Sequence, residues 1–167
     1  DVHDGEAESK DWGQAQDVNS TRVMRKVLIW EKPQLVAFTG DQITGNNIRD
    51  NATSYWSRVV QAAADASVPH LAVMGNHDGA PFEGGPLDRG PRSTTTEREL
   101  MAFEASMPLS VSELGPVDVN GASDDFVPVM PAEAEREDLT NSTPAFLIYA
   151  LDSGGGQSKA EGVTGEQ

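Results

Sequence analysis

The sequence predicts a layered α/β fold. Three observations carry that expectation. Near-continuous apolar runs at 34–39, 70–74 and 145–151 have the length and composition of buried strands. The first two runs are separated by a stretch of helical apolar spacing, and strand–helix–strand alternation argues for a parallel sheet with all three runs in it. Each run also ends abruptly in a turn of glycine and polar residues: Gly40-Asp41, Gly75-Asn76-His77-Asp78 and Asp152-Ser153-Gly154. α/β proteins place their sites at such C-terminal strand edges.

Taken in order, residues 4–17 are rich in Asp, Glu, Gly and Gln and read as a loop. Asn19 or Ser20 then caps a predicted helix running to about Glu31, with Val23, Val27 and Trp30 at helical spacing and Met24 and Leu28 beside them. Lys32-Pro33 ends it, because proline disfavours helix for the residue before it. After the strand at 34–39, residues 42–50 form a polar loop. Asn51–Ala66 follows as a helix, with Tyr55, Val59 and Ala63 on one stripe and Trp56, Val60 and Ala64 beside it. Pro69 introduces the strand His70–Met74. Residues 79–92, rich in Gly, Pro and Arg, read as a loop beside the strand exit. Thr96 and Glu99 fit a capping box for a helix whose apolar face is Leu100, Phe103 and Met107. Phe126–Met130 is a short strand, 131–143 an acidic surface loop, and Ala145–Leu151 the last strand. The segment 155–167 has the composition of a disordered tail.

Bulk properties exclude several function classes. The 167 residues suffice for one domain with a core, but apolar content is only 37%, and 16 Gly and 10 Pro imply many loops. A formal charge of −15 repels nucleic-acid backbones, so no general nucleic-acid binding is expected. No apolar run approaches the ~20 residues needed for a membrane span. The absence of cysteine removes disulfides, thiolate metal sites and thiol nucleophiles. Asp152–Lys159 has a superficial phosphate-loop look, but Ser158 precedes Lys159 and no helix pattern follows. The sequons at Asn19, Asn51 and Asn141 weakly favour a secretory route and a glycoprotein, although Asn19 and Asn51 equally suit helix caps.

Read together, Asp1-Val2-His3, Gly40-Asp41 and Gly75-Asn76-His77-Asp78 resemble the D-x-H, G-D and G-N-H-D motifs of the calcineurin-like metallophosphoesterases. The resemblance implies a metallophosphoesterase-type β-sandwich flanked by helices, of which residues 1–154 are the N-terminal part, incomplete at both ends. It implies two divalent or trivalent metal ions (Fe, Zn or Mn), with Asp1 and His3 on the first, Asp41 bridging and Asn76 on the second. His77 is then the catalytic residue, placed near the phosphoryl group rather than on a metal. The implied reaction is hydrolysis of a phosphorylated substrate, small molecule or phosphoprotein, in the full-length parent. Asp4 and Asp78 stand where they can orient neighbouring groups. Arg89 and Arg92 offer charge to a phosphate but are more simply solvated loop residues. His70 belongs to no motif and reads as structural.

The departures from the pattern are informative. Purple acid phosphatases carry D-x-G and G-D-x-x-Y, whereas His3 and Thr44 occupy those Gly and Tyr positions here. A charge-transfer tyrosine is therefore not expected. The chain is closer to purple-acid-phosphatase-like plant and fungal proteins that keep D-x-H, and Leu151-Asp152-Ser153-Gly154 is similar to their L-D-S-G. The family completes its metal site with a further His and a G-H-x-H motif, yet none of the three histidines follows His77. The alternative expectation is thus a non-catalytic scaffold or binding protein that retains the fold with an incomplete site.

Overall fold

The computed structural model describes residues 2–45, 47–49, 51–79, 93–131 and 143–153. The expectations for Asp1, Arg89, Arg92, the acidic loop, Gly154 and the tail lie outside or largely outside these residues. The described chain is mixed α/β, with elements α1 (Asp11–Glu31), β1 (Val36–Thr39), α2 (Ala52–Asp65), β2 (His70–Val73), α3 (Glu97–Ala105), β3 (Asp125–Val129) and β4 (Phe146–Ala150).

β1 and β2 pair in parallel, in the register Val36↔His70 to Thr39↔Val73. Parallel pairing sends both strands out at the same edge, so the turns at Gly40-Asp41 and Gly75-Asn76-His77 emerge side by side. The N-terminal segment joins them there. Val2 and His3 both donate backbone N–H groups to the Asp41 carbonyl, and Asp4 forms a parallel bridge with Ile43.

The expectation that 145–151 shares this sheet is corrected. β4 pairs antiparallel with β3 in a second two-stranded sheet, from Asp125↔Ala150 to Val129↔Phe146. The reason is that the outer edge of β2 is already occupied. His70 exchanges backbone bonds with Leu109 and Val111, while Ser112 and Ser123 hydroxyls accept from the Ala72 and Met74 N–H groups. A serine-bearing segment satisfies the ladder positions that another strand would take.

Helix α1 begins at Asp11, not at Asn19 or Ser20, and the loop reading of 4–17 holds only for its first part. Gln14, Ala15 and Gln16 are competent helix formers, and Asp11 suits the positive end of the helix. The added turns are anchored by tertiary contacts. Gly13 lies so close to Ala7 that a Cβ would stand 2.3 Å from the Ala7 carbonyl oxygen. Asp17 accepts from the Gly5 N–H and from Arg58. The helix ends where expected: Lys32 turns into the left-handed region (φ 46°), and its N–H returns to the Leu28 carbonyl. The expected apolar stripe is only partly used. Met24 packs against the core, whereas Val23, Val27 and Trp30 are exposed.

The core forms where α2 and α3 meet the first sheet. Trp56, Val59, Val60 and Ala63 of α2 are buried against Ala72, Met74, Leu100 and Met101. The Thr96–Glu99 capping box is present in full at the start of α3. Asn51 holds the N-cap position of α2, but in a left-handed conformation and without a side-chain cap bond. Among the described residues no helix is long and apolar enough to cross a membrane.

Candidate metal centre

The two strand exits are pressed together, and glycine makes this possible. At Gly75 an added Cβ would lie 2.3 Å from the Asp41 nitrogen and 2.4 Å from Asp41 Oδ1. Gly40 adopts φ 104°, which L side chains rarely tolerate. Asp41 and His3 are themselves left-handed, at φ 51° and 53°. Such strain at non-glycine residues concentrates at functional sites.

His3, Asp41 and His77 converge at this edge. His3 Nε2 lies 3.8 Å from Asp41 Oδ2, and the two side chains are 27% and 15% exposed. The His3 and His77 rings meet edge to face, with centroids 5.1 Å apart. Asp41 Oδ1 accepts the His77 N–H at 2.9 Å, and the His77 carbonyl accepts from the Gly45 N–H. Asn76 is half-buried between Gly75 and His77, both of which approach the Asp41 carboxylate. Asp1 is outside the described residues.

The donor chemistry fits a cation. Nε2 of His3 and Oδ2 of Asp41 stand within the span of one ion making bonds of about 2.0–2.2 Å to each. Thr44 contributes to this: its hydroxyl lies 3.3 Å from His3 Nδ1, so one ring nitrogen is engaged while the other faces Asp41. Among the described residues no group of three or more His, Asp or Glu stands at metal-holding spacing, so His3 and Asp41 are a partial set.

Two buried carboxylates border the pair. Asp78 is fully buried and accepts from the Asp41, Gly75 and Ile43 N–H groups. Burial pushes its carboxyl up to about 7, against the pull of the Ile43 and Gly75 N–H groups, and the charge of Asp41 adds to the rise. Asp4 is held by Arg58, which also bridges to Asp17. Burial and then the Asp17 charge raise the Asp4 carboxyl, and Arg58 opposes them.

Several residues that shape this edge had no role assigned to them from the sequence. Thr44 stood out only as a non-tyrosine. Gln42 is buried and donates to the Val73 carbonyl, tying the first turn to β2. Asp152, which follows β4, accepts from Ala122 N–H and lies 3.3 Å from the Ser123 hydroxyl. Ser123 in turn receives the Met74 N–H, so the exit of the last strand braces the exit of β2. Asp152 was marked in sequence by its place just after an apolar run and by the L-D-S-G match, but not by its partners.

The family model described as calcineurin-like phosphoesterase matches residues 1–138. The chain is 32% identical over 147 residues to the probable inactive purple acid phosphatase 28 of Arabidopsis thaliana, covering 83% of this chain and 34% of that protein. It is 28% identical to the probable inactive purple acid phosphatase 29 of the same plant, over 83% of this chain and 32% of the relative. It is 33% identical to the phosphatase DCR2 of Saccharomyces cerevisiae (strain ATCC 204508 / S288c), over 62% of this chain and 16% of the relative. The chain thus spans about a third of the length of the first two relatives. With His3, Asp41 and His77 meeting at one sheet edge and most of its length matched, the chain belongs to the calcineurin-like phosphoesterase family, whose members generally use a dinuclear metal centre.

Proposed function

We propose that these residues form part of a dinuclear metal centre that hydrolyses phosphate esters in the whole protein. The observation that carries the reading is the meeting of His3, Asp41 and His77 from three separate chain segments. His3 Nε2 and Asp41 Oδ2, with Asp1, would be the donors for one ion, and Asp41 and the Asn76 amide oxygen would hold the second. Such ions, whether Fe, Zn or Mn, supply a hydroxide at neutral pH and positive charge for the phosphoryl oxygens. His77 is fixed through both its N–H and its carbonyl, which sets its ring beside that of His3. Its imidazole would stabilise charge on the phosphoryl group or pass a proton to the leaving oxygen. The substrate class is a phosphorylated small molecule or protein.

A second reading, a binding or scaffold protein with an incomplete centre, is favoured by two relatives whose names call them probable inactive phosphatases. Paired variants of the whole protein separate the two. His77→Ala lowers kcat on an aryl phosphate by about 10²–10⁴-fold while metal content holds. Asn76→Ala loses the second ion together with activity, because an amide oxygen ligates a metal but donates no proton at neutral pH. Loss of metal from the His77 variant with both ions kept in the Asn76 variant reverses the roles. An unchanged rate in both variants leaves the scaffold reading. The sequons add a secretory route as a further proposal, read out by glycosidase sensitivity of the natural protein.

A further inference from the structure

We infer that Asp78 is the positioning residue of the centre: its carboxylate joins the two strand-end turns and fixes Asp41 beside His3 and His77. Both of its oxygens are engaged across the join. Oδ2 accepts from Asp41 N–H at 3.0 Å and from Gly75 N–H at 2.7 Å, while Oδ1 accepts from Ile43 N–H at 2.9 Å. Asp41 and Ile43 belong to the turn after β1, and Gly75 to the turn after β2. One side chain therefore serves donors from both turns, and it is fully buried.

The arrangement is reciprocal. Asp78 holds the backbone of Asp41, and Asp41 Oδ1 holds the backbone of His77, the residue before Asp78. Gly45 N–H bonds to the His77 carbonyl and closes the loop from the other side. Asp41 sits in a left-handed conformation that a free aspartate seldom adopts, and the Asp78 bond to its N–H fixes the backbone there. Only a carboxylate serves this role. It accepts at both oxygens, whereas an asparagine of the same size must turn an NH2 group toward either Ile43 N–H or the Asp41 and Gly75 pair.

The inference rests on the proposed metal centre only for its metal readout, so the test has two parts. In the unmodified chain, through-hydrogen-bond couplings should connect the Asp41, Ile43 and Gly75 amides to the Asp78 carboxylate carbon. Asp78→Asn should speed hydrogen exchange at those three amides by about tenfold or more, the worth of a bond to a charged group. The amides of Val59, Val60 and Ala63 in α2 should be unmoved. Mn2+ added alone should broaden the His3 and His77 ring resonances in the unmodified chain, and the variant should need about 10–100-fold more of it. Absent couplings, or exchange that rises equally in α2, overturn the positioning role. Unchanged Mn2+ affinity with the three amides released also overturns it. If Mn2+ fails to broaden the rings of the unmodified chain, the metal reading falls alone, and the couplings and exchange still decide the role of Asp78.

Discussion

At Gly75 the difference between a hydrogen and a methyl group decides whether the two turns can touch. The methyl of an alanine would meet the Asp41 nitrogen and Oδ1, backbone and carboxylate together, and neither is the free end of a flexible chain. Gly75→Ala should therefore cost about 1–3 kcal/mol through overpacking. Because the strain falls on Asp41, metal binding should weaken more than the stability loss alone explains. Thermal unfolding and Mn2+ titration of the same variant check both parts. A variant with unchanged melting and unchanged Mn2+ affinity shows that the turns have room to separate. Sequence reading marked both glycines as turn openers but not their contact, since that depends on the parallel register of β1 with β2. The same limit explains Asp78 and Thr44. Two of the three donors to Asp78 lie in the other turn, and Thr44 meets a histidine 41 residues away; spacing along the chain carries no record of these contacts.

Helix α3 shows what is and is not legible at the scale of an element. Its capping box was readable because both partners lie within four residues, and Thr96→Ala should cost about 1 kcal/mol in urea unfolding. Its most consequential residue was not readable. Glu104 is fully buried, with Oε1 3.1 Å from His70 Nε2 and Oε2 accepting the Trp56 indole N–H. Ser110 and Ser112 also donate to it. Burial disfavours its charge, but the bonds from His70 and Trp56, the charge of His70 and the Ser110 hydroxyl together outweigh that penalty and hold the carboxyl below its usual range. A carboxyl depressed in the folded state binds fewer protons there than when unfolded. Its stabilisation is therefore full above the unfolded value of about 4.5 and is lost as pH falls through the lower folded value. Urea midpoints should drop over that acid window, and Glu104→Gln should flatten the drop. Glu104→Ala should cost about 3–5 kcal/mol at neutral pH, because it strands the Trp56 donor and removes the carboxylate paired with His70. The early start of α1 was missed for a related reason: Asp17 and Gly13 find their partners in the folded-back segment at 5–7 and in α2, so a polar stretch that reads as loop is held as helix.

For the molecule as a whole, the legible part is the parallel pair and what leaves its edge. The misplaced part is the second sheet. Apolar runs report that a strand is buried, not which neighbour it takes, and the serines that fill the outer edge of β2 look like loop residues in sequence. The assembled edge also sets how this chain should meet metal. At this edge His3 Nε2 and Asp41 Oδ2 stand at ion-bridging spacing, and no third His, Asp or Glu joins them among the described residues. A partial ligand set supports only weak binding of a divalent ion. The formal charge of −15 complicates the measurement, since any divalent ion accumulates near such a surface. Salt distinguishes the contributions. Diffuse accumulation collapses once the screening length shrinks to about 3 Å at 1 M salt, whereas a direct bond to Asp41 Oδ2 and His3 Nε2 is much less affected. Mn2+ titration of this chain should thus show weak binding with a salt-resistant remainder, and Asp41→Asn should abolish that remainder. Stoichiometric tight binding of two ions by the unmodified chain overturns this expectation, because it requires donors beyond those gathered at the strand exits. Complete loss of binding in 1 M salt removes the site itself and leaves only the acidity of the surface.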